Sequence, residues 1–68
     1  MSSKVQRQQA IARLIAKHAV TNQPQLVDLL ADDGITATQA TVSRDLEDLG
    51  AVKVRVPGGD TVYADRKS

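Results

Sequence analysis

The chain has 68 residues, a formal net charge of +1, no cysteine, one histidine and one aromatic residue, Tyr63. At this length one small domain spanning 1–68 is expected, burying only about 60% of the surface its unfolded chain exposes, so the core is thin. The composition excludes a disulfide framework, thiol chemistry and a zinc site of the usual nitrogen and sulfur type, and no apolar run nears the roughly 20 residues of a membrane span.

The N-terminus, Met1-Ser2-Ser3-Lys4-Val5-Gln6-Arg7, does not lead into the apolar core of a secretory signal. A first helix is predicted over about 4–18, with Ile11, Leu14, Ile15 and His18 on one face and Arg7, Arg13 and Lys17 on its flanks. His18 is expected to be partly buried near the negative end of the helix dipole, without a catalytic role. A second helix is predicted over about 23–33. Asn22 caps it, Gln25 completes a capping-box pattern, and Pro24 occupies the first turn, where its missing amide costs nothing. Leu26, Leu29 and Leu30 point inward and Gly34 ends the helix, while Asp28, Asp32 and Asp33 make its outer face acidic. Ile35 plugs the core from the short turn that follows.

The third helix, about 39–49, carries the functional signal. Thr38 is its N-cap and Gly50 its left-handed terminator. Val42, Leu46 and Leu49 form one buried stripe, and the other face carries Ala40, Thr41, Ser43, Arg44, Glu47 and Asp48. Long Lys and Glu side chains would make a better solvated helix than Thr and Ser. Small hydrogen-bonding groups around one guanidinium instead let the first turns of a helix approach base edges in a major groove. A helix, a short turn and a second helix with a polar start is the helix-turn-helix layout.

Beyond Gly50 the period changes to that of a strand. Val52, Val54 and Val56 alternate with Lys53 and Arg55, Pro57-Gly58-Gly59-Asp60 forms a turn, and Thr61-Val62-Tyr63-Ala64 returns. The valine face is expected to rest on the helices, leaving Lys53 and Arg55 free. A wing over about 51–64 makes the fold mainly α with a small β-hairpin, a winged helix-turn-helix. The tail Asp65-Arg66-Lys67-Ser68 is polar and expected to fray.

A net charge of +1 does not favour nucleic-acid binding in bulk, so the reading rests on where the charges lie. With acids on helix two, and Arg44, Lys53 and Arg55 on the third helix and wing, the cations converge if the wing flanks the third helix. Near absence of aromatics argues against single-strand binding by stacking.

The run Thr38-Gln39-Ala40-Thr41-Val42-Ser43-Arg44-Asp45-Leu46, with Gly50-Ala51-Val52-Lys53-Val54 and the upstream Asn22-Gln23-Pro24-Gln25-Leu26-Val27, closely resembles the DNA-binding domain of bacterial arginine repressors. The likeness runs from about Arg7 to Tyr63. It implies a cytoplasmic, bacterial winged-helix domain that binds pseudo-palindromic operators and represses arginine biosynthesis genes. It places the Ser-Arg pair central to DNA contact on Ser43 and Arg44. Full-length members are typically hexameric and bind L-arginine as corepressor through a C-terminal domain, for which nothing after Ser68 provides. The chain is therefore expected to behave as an N-terminal fragment, monomeric alone, with no cofactor of its own. Pro24 stands where the family often has an acid or glycine, and the wing turn is short and glycine-rich.

The expected contacts follow from the residue chemistry. Arg44 bonds a guanine edge, or one base plus a phosphate, and Ser43 a neighbouring base or backbone oxygen. Gln39 either reads adenine or braces the helix start. Ala40 and Thr41 offer small groups to a thymine methyl, and Thr41 equally suits a phosphate. Thr38 and the first-turn amides suit a phosphate. Lys53 and Arg55 meet backbone phosphates or a narrow minor groove. The alternative is a winged-helix protein-interaction module without DNA binding, which requires an exposed apolar patch around Val5, Val27 and Val56. An enzyme is disfavoured, because the lone His18 lies apart from Ser43 and Gly58-Gly59 sits in a hairpin rather than a phosphate loop.

Overall fold

Each helix begins on a side-chain cap. In the computed structural model, which describes residues 3–65, Ser3 caps α1 (Lys4–Lys17), Asn22 caps α2 (Gln23–Asp32) and Thr38 caps α3 (Gln39–Leu49). Each cap accepts a hydrogen bond from the amide three residues on, filling one of the unpaired donors of a first turn. At α2 the capping box closes one residue early. The Gln25 side chain accepts from the Thr21 amide at 2.9 Å rather than from the Asn22 amide. Gly50 closes α3 in the left-handed region at φ 71°, where any side chain is strained.

The three helices enclose one core. Ala10, Ile11, Leu14 and Ile15 of α1 meet Leu26 and Leu30 of α2 and Val42 and Leu46 of α3, with Val20 and Ile35 filling from the connections. Leu29 and Leu49 border this core and are only partly buried. Ile11, Val20, Leu26, Leu30 and Val42 are sealed from solvent, and each such side chain stabilises the fold by about 1.5–3 kcal/mol. His18 departs from expectation. The chain leaves the helix at Lys17, and His18 becomes an extended, exposed C-cap whose amide bonds the Leu14 carbonyl.

Strands β1 (Val52–Arg55) and β2 (Thr61–Ala64) form the antiparallel hairpin, completing the winged helix. Pro57 and Gly58 occupy the middle of the turn, where the Gly59 amide bonds the Val56 carbonyl at 3.1 Å and Gly58 takes φ 111°. Proline followed by a positive-φ residue is the requirement of a type II turn. β2 is the inner strand. It packs on α1, and its Tyr63 amide donates to the Val20 carbonyl at 2.9 Å.

The hairpin meets the expected facing only in part: Lys53 and Arg55 are exposed and Val62 is buried on the valine face, but Val52 and Val54 are left uncovered. Its register pairs Lys53 with Tyr63 and Val54 with Val62. Lys53 and Tyr63 therefore share a face, and Tyr63, with Ala51, packs against the core. Val52 and Val54 lie on the opposite face, which they share with the buried Val62, and remain 42% and 39% exposed. β1 is exposed on both faces, and the inward apolar side chains come from β2: Val62, buried at 8% exposure on the valine face, and Tyr63, half-buried on the other.

Polar contacts centred on Asp45 tie α1 to α3. Asp45 is buried at 1% exposure. It accepts from Arg7 Nε, from Arg7 Nη2 at 3.1 Å and from Gln8 Nε2 at 3.3 Å. One turn along, Lys4 Nζ lies 3.1 Å from Asp48 Oδ2, so the two helices meet antiparallel through two cation–acid pairs. Burial alone would push the Asp45 carboxyl up. The Arg7 and Gln8 bonds and the positive charges of Arg7 and Lys4 outweigh it and hold the carboxyl below its ordinary range. The same pairing raises Arg7.

Two outcomes follow from this buried pair. Arg7→Ala leaves Asp45 short of its charged partner and should cost about 3 kcal/mol by chemical denaturation, while the pair Arg7→Met with Asp45→Leu should recover most of that loss. Acid sensitivity supplies the second check. The unfolded carboxyl takes its proton near pH 3.9, before the folded one does, so the stabilisation is complete above that value and fades as pH falls through the lower folded value. Asp45→Asn should be less stable at neutral pH and show a flatter stability curve below about pH 4.

Candidate nucleic-acid interface

The outward face of α3 is built by what lies behind it. Val42 and Leu46 are sealed in the core and Asp45 is clamped to α1, which fixes the rotation of the helix about its axis. With that rotation Gln39, Ala40 and Arg44 stand exposed, and Thr41 and Ser43 are half-buried beside them. Among the described residues Arg44 makes no ion pair or side-chain hydrogen bond. Its guanidinium is open to a ligand.

The first turn is more committed. The Thr38 hydroxyl accepts from the Thr41 amide at 3.2 Å and bonds the Thr41 hydroxyl at 2.9 Å. Its own capacity is thus spent on capping, and the free donors at this end are the backbone amides of Gln39 and Ala40. Gln39 is also engaged: its Nε2 donates to Gln23 Oε1 at 3.4 Å, across the gap between α3 and α2. The sequence offers no local signal for Gln23, because only the juxtaposition of two helix starts brings the pair together.

The cations divide into paired and unpaired sets. Lys4, Arg7 and Arg13 are taken up by Asp48, Asp45 and Asp33. Among the described residues this leaves Lys17, Arg44, Lys53 and Arg55 without an acidic partner. The acidic second half of α3 is largely compensated in the same way, with Glu47 exposed between the two paired aspartates. Lys53 and Arg55 are both exposed on β1. The Lys53 ammonium sits 5.2 Å from the centre of the Tyr63 ring, a cation–π contact that holds it while the charge stays in water. The hairpin follows α3 directly through Gly50 and Ala51 but packs mainly on α1.

Other chemistries find little support. Among the described residues no group of His, Cys, Asp or Glu is placed to hold a metal ion, and no helix is long and apolar enough to cross a membrane. The patch expected of an interaction module is not assembled as foreseen. Val5 is exposed, but Val27 packs against the core and Val56 is half-buried.

A winged helix with a bare arginine on its third helix and cations on the hairpin is suited to a polyanionic duplex. A comparison of the sequence with protein-family models matches residues 2–66 to the family described as the arginine repressor, DNA binding domain. The match takes in both flanks of the site and nearly the whole chain, so this protein belongs to the arginine repressor DNA-binding family, a family of DNA-binding transcription regulators.

Proposed function

We propose that this domain binds double-stranded operator DNA in a sequence-specific manner, and that its target genes are those of arginine biosynthesis in a bacterial cytoplasm. The observation that carries the reading is Arg44, exposed and unpaired on a helix whose opposite face is sealed in the core. In this reading α3 enters the major groove by its N-terminal half. Arg44 donates two parallel bonds to a guanine edge, and Ser43 bonds an adjacent base or backbone oxygen. Ala40 and Thr41 line the space beside a thymine methyl, and Gln39 faces a neighbouring base. A phosphate sits at the Thr38 cap, met by the open amides of Gln39 and Ala40. Lys53 and Arg55 lie along the backbone or in the adjacent minor groove.

The small number of unpaired cations sets the affinity. Few phosphates are neutralised, so one copy binds weakly and its binding falls steeply with salt. Several copies joined through another domain gain from effective concentration, and two on one face of a duplex need half-sites about 34 Å apart. We assign no residue of this chain to L-arginine.

Mobility-shift titrations at two salt concentrations test the assignment. Arg44→Ala should cost about 1–3 kcal/mol on an arginine-gene operator and relax preference at one base pair. Unchanged operator preference in that variant would refute the reading. Lys53→Ala should weaken operator and scrambled duplexes alike and reduce the slope of log affinity against log salt by about one.

A further inference from the structure

Gln23 is the first residue of α2 and Gln39 the first of α3. Their side chains meet although they stand 16 positions apart, with Gln39 Nε2 donating to Gln23 Oε1 at 3.4 Å. Gln39 is exposed and Gln23 half-buried, so the pair lies at the rim where the two helices of the helix-turn-helix converge. It is a polar bond between two long side chains at a surface, and such a bond adds little stability by itself. Its effect is on orientation.

A primary amide has two N–H donors and one carbonyl acceptor. Gln39 gives one N–H to Gln23. When the N–H trans to Oε1 is the one given to Gln23, the N–H that remains lies beside Oε1 in one plane. That remaining pattern complements adenine, whose N7 accepts and whose N6 amino group donates in the major groove. It opposes guanine, whose N7 and O6 both accept, because Oε1 would face O6 with no proton between them. Released from Gln23, the Gln39 amide turns freely and can present both hydrogens, so the discrimination is lost.

Gln23 has matching spare capacity. Its Oε1 is taken by Gln39, and its Nε2 keeps two donors. A backbone phosphate accepts and never donates. A phosphate at Nε2 therefore fixes which end of the Gln23 amide faces Gln39. We infer that Gln23 is a specificity-determining residue: it bonds a backbone phosphate and, through that bond, orients Gln39 to read an adenine. The inference rests on the reading that α3 occupies the major groove.

Selection of binding sites from a random duplex library, with purified wild type, Gln23→Ala, Gln23→Glu, Gln39→Ala and Arg44→Ala, tests it. The wild type should select an adenine at a position distinct from the guanine lost in Arg44→Ala. Preference for that adenine over guanine should fall about tenfold in Gln39→Ala and by a similar factor in Gln23→Ala, and the double variant should lose no more than either alone. Gln23→Glu keeps an acceptor for Gln39 but repels phosphate. It should weaken binding to every duplex while retaining the adenine preference, and thermal melting of each variant confirms its fold. Unaltered base preferences in Gln23→Ala, or losses that simply add in the double variant, overturn the inference while leaving the Arg44 assignment standing. A wild type that selects no sequence overturns both.

Discussion

The orientation of α3 depends on one buried carboxylate. Asp45 sits in the middle of that helix, next in sequence to Arg44, and is held by Arg7 and Gln8 of α1. Apolar contacts at Val42 and Leu46 set how closely the helices approach, but non-directional packing tolerates small rotations. A two-point bond between a guanidinium and a carboxylate does not, because its donors and acceptors must stay coplanar. The same helix therefore carries one residue that is satisfied inside and, one position earlier, one that is left unpaired outside. Arg7 and Arg44 are chemically alike and do opposite things.

This arrangement also explains how a nearly neutral chain keeps unpaired cations on α3 and β1. Acids are placed opposite those cations whose position is useful to the fold, on α1, and the cations on α3 and β1 are left unpaired. Lys4 and Arg7 further mask the two aspartates of α3 that would otherwise repel a phosphate backbone. Net charge is a poor guide here, because a partner meets the local field and not the sum.

Local chemistry made much of this readable in advance. The caps at Asn22 and Thr38, the glycine at 50 and the Pro57-Gly58 turn each depend on a few neighbouring residues, and the helices start and stop within a residue of where those residues place them. The stripe at Val42 and Leu46 was equally legible from spacing. What pattern alone left open was direction. Alternation in β1 says that Val52 and Val54 share a face but not how far that face is covered, and the burial falls on Val62 and Tyr63 of the partner strand instead. His18 fits the helical period, yet the chain leaves the helix before it. The partners of Asp45 and Gln39 lie far along the chain, at Arg7 and Gln23, and no local rule connects them.

The bond from Tyr63 to the Val20 carbonyl has a mechanical consequence. Val20 is fully sealed with the hairpin in place, so lifting the hairpin would break this bond and open the core beside it to water. The wing is thereby riveted to the link between α1 and α2, immediately upstream of the turn that begins α2. Hairpin and helices form one stiff casting, with little freedom left to surrender on docking.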